Sequence, residues 1–365
     1  MSKRVVIAGG GTGGHLYPGI ALARELMEHD ANIEIVFVGT ERGIESRVLP
    51  KEGLALKTIA SAGLIGKRGM SKLVSALKLP VGALQAMGFL IANRPRLVVG
   101  VGGYVSGPVL AAARLLGIPT LIHEQNAWPG VTNRILGKWV DRVCISFEEA
   151  RSFFPDNKVV VTGNMIRKSF SKAEEPQPAE PDQPLNVLVL GGSQGARSIN
   201  RAVTAALEPL VEFKNRVRWT HQTGETDAET VRQSYEIQNW QAEVAPFFFD
   251  MESRYRQADL VICRAGATTL AEITACGKPS VLIPFPHATH NHQEMNARVL
   301  EAAGAGVVIL DSEVNGEIIA AHITEMLRNP SLRLQRARAS FALGRRDSTR
   351  RVMEQCLELI ERRAA

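Results

Sequence analysis

Long apolar runs, paired cysteines and aromatic side chains are all scarce in this chain of 365 residues. No apolar stretch approaches the roughly 20 residues that span a bilayer, so any membrane contact is expected to be peripheral. The run "VVIA" ahead of the first glycines is too short for the core of a signal peptide. The four cysteines, Cys144, Cys263, Cys276 and Cys356, form no CxxC pair and no metal-ligand spacing, which argues against a disulfide scaffold and fits a reducing cytoplasm. Aromatics make up only 5%, and no stacking or zinc motif accompanies the formal charge of +6, so nucleic acid is not expected as a partner. An anionic membrane surface or a phosphorylated ligand remains compatible with that charge. No Asp-x-Asp occurs anywhere, which removes the simplest carboxylate pair for holding Mg²⁺ on a nucleotide diphosphate.

What the chain does have is length, buried-strand patterns and glycine. A chain of this length usually exceeds one hydrophobic core, so two domains are expected. Apolar, β-branched runs recur at "RVVIAG", "IEIVFVG", "RLVVGVGG", "PTLIHEQ", "RVCISF", "NVLVLGG", "DLVICRAG", "PSVLIPF" and "GVVIL", with helix-length segments between most of them. Nearly continuous apolar strands alternating with helices indicate an α/β fold with parallel, doubly wound sheets. The stretch "SKAEEPQPAEPDQPL", residues 171–185, reads as an exposed connector or loop. The same unit of strand, glycine turn and helix opens each half, as "VVIAGGGTGGH" and "NVLVLGGSQGAR". The expected domains are therefore 1–163 and 164–340, followed by a C-terminal helical segment, 341–365, that could pack back on the first.

Glycines between a buried strand and a helix allow a sharp turn and uncover backbone N–H groups at the positive end of the helix, where a phosphate or diphosphate is the usual guest. They can equally serve close strand-to-helix packing. The first loop, Gly9 to Gly14, lacks the Lys-Ser/Thr of a P-loop, and Glu41 is the best available acidic ribose ligand for a dinucleotide reading. His15 adds a titratable ring at the helix start and is a candidate general base, with a hydrogen-bonded helix-start histidine as the plainer alternative. "GVGGYVSGP" and "LIHEQNAWPG" fall at strand ends, where Tyr104, Ser106, His123, Glu124, Gln125 and Asn126 could form a hydroxyl-reading wall. Glu124 is the second candidate base. In the second half, "CRAGATTLAE" starts a helix at Ala267 or Thr268, which suits a diphosphate, and Glu272 follows one turn on, where it could grip a ribose. His287, His290 and His292 lack a completing Cys or carboxylate set, so no metal site is expected.

Together "GGGTGGH", "GGYVSGP", "HEQN", "GGSQGA", "RAGATTLAE" and the Gln293 to Ala297 segment resemble the bacterial transferases that add N-acetylglucosamine to lipid I to form lipid II of peptidoglycan. The resemblance implies a glycosyltransferase B fold, with two Rossmann-like domains facing a deep cleft. It implies inverting transfer from UDP-N-acetylglucosamine to the C4 hydroxyl of the muramyl sugar, without a cofactor. The family's donor positions fall on Thr12, Gly13, Gly14, Asn126, Arg167, Ser193, Phe248, Ala267, Thr268, Thr269, Leu270, Ala271, Glu272 and Gln293. Tyr104, Ser106 and His123 are left for the acceptor. One departure is visible: the family commonly has proline after the Gly-Asn of "GNMIR", where this chain has Met165.

A lipid-linked acceptor would bring the first domain to the cytoplasmic side of the cell membrane. Residues 61–96 combine Lys67, Arg68, Lys72 and Lys78 with Leu64, Ile65, Leu73, Leu77, Met87 and Phe89, a mixture suited to an anionic lipid interface or, for the apolar members, to a domain core. Division or elongation proteins are left open as partners. The alternatives are a nucleotide-sugar binding module without chemistry, a soluble-acceptor glycosyltransferase, or a two-domain sugar-nucleotide epimerase.

Overall fold

Along β1 (Lys3–Ala8) successive side chains enter opposite cores: Val5 and Ile7 join one apolar cluster, Val6 and Ala8 another. The period of two delivers alternate residues to each face, so a strand covered by helices on both sides must be apolar throughout. The computed structural model describes residues 3–41, 43–61, 70–178, 183–192 and 195–362, with side chains along the helix Met70–Asn93 described from Pro80 onward.

The chain divides into two units, residues 1–168 with 347–365, and residues 169–346. The first unit holds a sheet of β1, β2 (Ile33–Gly39), β3 (Ala55–Thr58), β4 (Leu97–Gly100), β5 (Thr120–Glu124), β6 (Arg142–Ile145) and β7 (Val159–Val161) in the order β3-β2-β1-β4-β5-β6-β7. All its pairings are parallel. The second unit repeats the plan with β8 (Leu185–Leu190), β9 (Val217–Gln222), β10 (Ala242–Ala245), β11 (Leu260–Cys263), β12 (Ser280–Leu282) and β13 (Gly306–Val308), ordered β10-β9-β8-β11-β12-β13 and again wholly parallel. In both, the order reverses beside the first strand, the topological switch point of a Rossmann-type sheet.

Three edge strands, β3, β7 and β10, and the penultimate β9 escape the apolar-run reading. The edge strands are only three or four residues long and no residue in them is fully buried, and β9, "VRWTHQ", buries a histidine and a glutamine where a run would require aliphatics.

The unit boundaries differ from those expected. The first crossing comes after Lys168 rather than at 163, because Met165 is buried in the first unit's core and Thr349 grips residue 166 at both backbone groups. The proline-rich stretch does not link the units: from Ser169 onward the chain belongs to the second, where Pro176 lies against Gly277 and Glu175 pairs with Arg338. The return crossing falls after Arg346 rather than at 340, since Arg346 is bound to the carbonyls of Phe341 and Ala275. The last helix, Ser348–Arg362, then buries Val352, Met353, Cys356, Leu359 and Ile360 in the first unit's core, against the helix Gly13–His29.

Each unit encloses one buried, neutral histidine. His123 donates Nε2–H to Gly163 O at 3.0 Å and accepts from Gln125 Nε2 at 3.2 Å. His221 donates Nε2–H to Asn200 Oδ1 at 3.0 Å, while Tyr235 OH donates to its Nδ1 at 3.1 Å. Burial lowers His123 from 6.5 to about 4 and His221 to about 3.

Two outcomes follow. Leu359→Ala should lower unfolding free energy by about 2 to 4 kcal/mol, read as a fall in the urea midpoint. Because both histidines bind protons more readily when unfolded, stability should be insensitive to them above about pH 7. It should fall by about 1.4 kcal/mol per pH unit for each as the pH drops from 6.5 towards about 4. Urea titrations of His221→Gln across pH 7.5 to 5 should lack that histidine's share of the slope.

Candidate active site

In the first unit the glycine-rich turn follows β1 and leads into the helix Gly13–His29. Its glycines answer first to packing between loops. A Cβ on Gly9 would lie 2.4 Å from the Val101 side chain, and one on Gly103, at φ +81°, would lie 2.6 Å from Gly10 O. The turn after β1 is thereby pressed onto the turn after β4. Thr12 is the N-cap, extended at φ −136° and without a side-chain cap bond, so Gly13 and Gly14 open the helix. The His15 ring rests on Gly102, where an added Cβ would come within 2.6 Å of Nδ1. Only glycine at 102 leaves that ring its place.

Tyr104 stands beside Gly11 and is 36% exposed. Tyr17, also partly exposed, lies over Gly13 one helical turn on. Sequence reasoning passed over Tyr17, although the i, i+4 spacing from Gly13 points to it. It also passed over Glu45, a fully buried carboxyl that accepts the Gly11 N–H at 2.9 Å. Nothing in "GTERGIES" marks that residue locally.

Four residues expected in the ligand wall, Ser106, His123, Glu124 and Gln125, face the interior instead. Ser106 is buried, its one Oγ–H shared between Ala8 O and Gly102 O, each 2.8 Å from Oγ, so it staples the two turns together. His123 is enclosed by Gly163 and Gln125, and Gln125 in turn donates to Val101 O at 2.8 Å. Glu124 is 2% exposed, and its oxygens accept from Asn126 N at 2.9 Å, Gly130 N at 3.1 Å and Asn133 Nδ2 at 2.9 Å. Burial raises its pKa, while those donors pull the other way. Its lone pairs are spent on shaping the loop 124–130, so the structure corrects its assignment as reserve base.

Asn126, half-buried, belongs to that same ring through its Nδ2 and Glu124 Oε1. Arg167 is exposed, and the backbone before it is held despite the missing proline: Ser348 Oγ donates to Asn164 O at 2.7 Å and Thr349 bonds Ile166.

In the second unit Ser193 lies outside the described residues, but its flanking glycines are defined. A Cβ on Gly195, at φ +78°, would lie 2.2 Å from Thr223 O. Gln222 bridges this turn to the next loop, donating to Gly192 O at 3.1 Å and accepting Phe248 N–H at 2.9 Å. The Phe248 ring is buried beneath Arg254, whose guanidinium carbon sits 4.4 Å from its centroid. After β11 the helix Ala267–Ala275 begins, capped by Gly266, which offers no side-chain oxygen. Ala267, Thr268 and Thr269 form its first turn, Leu270 turns into the core, and Ala271 and Glu272 are half-buried one turn on. The Tyr255 phenol bonds Glu272, and burial with that carboxyl beside it raises the phenol well above its usual range. Gln293 accepts Phe285 N–H at 3.0 Å. Arg264 is a clamp, binding Ile283 O, Pro284 O, Ser198 Oγ and, at 2.6 Å, Asp311 Oδ1.

The profile of the glycosyltransferase family 28 N-terminal domain matches residues 5–145, and that of its C-terminal domain matches residues 186–352. A protein of Myxococcus xanthus named UDP-N-acetylglucosamine--N-acetylmuramyl-(pentapeptide) pyrophosphoryl-undecaprenol N-acetylglucosamine transferase is 49% identical, covering 98% of this chain and 93% of its own. One of the same name from Geobacter sulfurreducens is 47% identical over 96% of this chain and 97% of its own. The crystal structure of Acinetobacter baumannii MurG is similar with a TM-score of 0.81 at 32% identity, covering 98% of this chain and 99% of that one. With both of its domains matched in order and relatives of this identity along nearly the whole length, the chain belongs to glycosyltransferase family 28.

Proposed function

We propose that this protein is an inverting N-acetylglucosaminyltransferase that moves the sugar from UDP-N-acetylglucosamine to the C4 hydroxyl of the muramyl sugar of lipid I, giving lipid II. The observation that carries the reading is the pair of family 28 domains together with close, full-length relatives named for that transfer.

Inversion needs one in-line displacement, in which the acceptor hydroxyl attacks C1, loses its proton and UDP departs with the bonding electrons. A base at the hydroxyl and positive potential at the diphosphate lower that barrier from opposite ends. His15 is assigned as the base: it is the half-buried imidazole at the start of a helix, held in place by Gly102. Tyr104 is assigned to the acceptor, and Thr12, Gly13, Gly14, Asn126 and Arg167 contribute donor contacts from the first unit. In the second unit the positive end of the helix starting at Ala267 is assigned to the diphosphate and Glu272 to the ribose, with Phe248 and Gln293 assigned to the donor by their motifs. Ser193 completes that set by its motif. No step in this scheme calls for a metal.

Membrane contact is assigned to the first unit. Leu84 is 69% exposed, with Ile91, Leu115 and Ile135 similarly bare on three helices of this unit, and Trp139, in the turn after the last of them, is 58% exposed. Arg114, Arg134 and Lys138, each next in sequence to one of Leu115, Ile135 and Trp139, are exposed as well. Exposed apolar and basic side chains in one unit suit contact with anionic lipid. Of the residues singled out in the 61–96 segment, Met87 and Phe89 pack on the core instead, while Leu64, Ile65, Lys67 and Arg68 lie outside the described residues, as do the side chains of Lys72, Leu73, Leu77 and Lys78. Among the described residues no helix is long and apolar enough to cross a membrane.

The direct test is transfer of labelled N-acetylglucosamine from its UDP donor to a lipid-linked muramyl-pentapeptide in the presence of chelator. Lipid-linked product is expected; donor binding with label appearing only as an epimer or on a soluble acceptor would transfer the function to those relatives of the fold. His15→Ala should lower kcat by about 100-fold or more while donor Kd stays within about threefold. Leu84→Glu with Trp139→Glu should weaken sedimentation with phosphatidylglycerol vesicles by about tenfold or more, leaving soluble-acceptor turnover intact.

A further inference from the structure

Three glycines from two stretches, the turn after β1 and the end of β2 with the turn that follows it, surround one carboxyl group. A Cβ on Gly10 would lie 2.4 Å from Glu45 Cδ, one on Gly39 2.6 Å from its Cγ, and one on Gly43 about 2.1 Å from Oε2. The group they enclose has no solvent exposure. Its Oε1 accepts Thr40 N–H at 2.8 Å and Thr40 Oγ1–H at 2.9 Å, and its Oε2 accepts Gly11 N–H at 2.9 Å. Every one of these partners is a donor, so both oxygens act purely as acceptors, as a carboxylate's do.

The bond to Thr40 is local and would suffice to shape the turn that opens the short helix Glu45–Val48. The bond to Gly11 reaches 34 residues back, to the turn that carries Thr12 and His15. That turn contains Gly10 at φ +150° and Gly11 at φ +87°, conformations open chiefly to glycine and therefore floppy unless something outside the turn selects them. The Gly11 N–H is the backbone group that a phosphate-cradling loop would offer its ligand; here it is already committed to a protein carboxylate. The space cleared by Gly10, Gly39 and Gly43 is thus filled by Glu45.

We infer that Glu45 is a positioning residue of the transfer site: by holding Gly11 N–H from beneath, it fixes the glycine turn and so the place of His15 and Thr12. This rests on the proposed transfer reaction. It also divides the labour of the first loop, since the Gly10–Gly11 end is anchored to the protein while the helix start faces the ligand.

Glu45→Gln keeps shape and volume but replaces one acceptor oxygen by an NH₂ donor, which must then face Gly11 N–H or Thr40 N–H. The expected result is a fall of at least tenfold in kcat, with KM for the UDP donor and vesicle binding within twofold of wild type. Thr40→Val, which removes only the hydroxyl bond to the same carboxylate, should retain kcat within twofold. Amide hydrogen exchange gives a readout independent of turnover: Gly11 N–H should be protected in the wild type and lose that protection in Glu45→Gln. A folded Glu45→Gln protein with wild-type kcat would overturn the inference, as would a loss of rate matched by the fraction unfolded at the assay temperature. Where Glu45→Gln does not fold, random-coil exchange of Gly11 in the wild type overturns it. A wild type that protects Gly11 yet transfers no sugar to lipid would instead sink the proposed reaction and leave the anchor standing.

Discussion

In a parallel sheet every strand ends on the same edge, so all the strand-to-helix turns of a unit crowd together there and their backbones must approach more closely than side chains permit. Gly9 against Val101, Gly103 against Gly10 and Gly195 against Thr223 are three places where this crowding is met by removing Cβ. The remaining polar backbone groups are then claimed by side chains whose own positions are fixed by the sheet: Ser106, Gln125, Glu45 and Glu124 in the first unit, Gln222, Asn200 and Arg264 in the second. A buried carbonyl or N–H left without such a partner would cost on the order of 1 to 3 kcal/mol, so the polar residues of the motifs are needed for the loops before they are available to a ligand.

This reorders the motifs by what their side chains do. "HEQN" holds loops together through His123, Glu124 and Gln125. The proposed proton transfer falls to His15, two residues into the helix Gly13–His29 that the first glycine turn opens. Preorganisation of this kind is how a Rossmann-type scaffold supports a reaction whose barrier depends on the placement of charge and of one proton acceptor. The Arg264 clamp plays the corresponding part in the second unit, linking Ser198, two carbonyls beyond β12 and Asp311.

The first unit is completed by the end of the chain. Had the helix Ser348–Arg362 stayed with the second unit, Val352, Met353, Cys356, Leu359 and Ile360 would lose their place in a core shared with Leu16, Ile20 and Met165. The same helix start grips the backbone of residues 164 and 166 through Ser348 and Thr349. That grip supplies by hydrogen bonding the restraint that a proline after Gly-Asn would supply by its ring, so Met165 can contribute its side chain to the core.

The α/β class, the two-unit plan, the glycine turns and the family are legible in the residues alone, because buried parallel strands write their burial as unbroken Val, Ile and Leu and because glycine marks turns locally. Solvated edge strands such as β3 write no such signal and were invisible. Only the tertiary structure decided that His123, Glu124 and Ser106 turn inward, that the proline-rich stretch lies on the second unit, and that Glu45 sits beneath the first turn. Glu45 and Ser106 reach partners 34 and 98 positions away, and His123 one 40 away, while Glu124 turns onto its own loop. Spacing along a chain says what a residue's neighbours are; it carries no record of which way a strand end points once two loops have been pressed together.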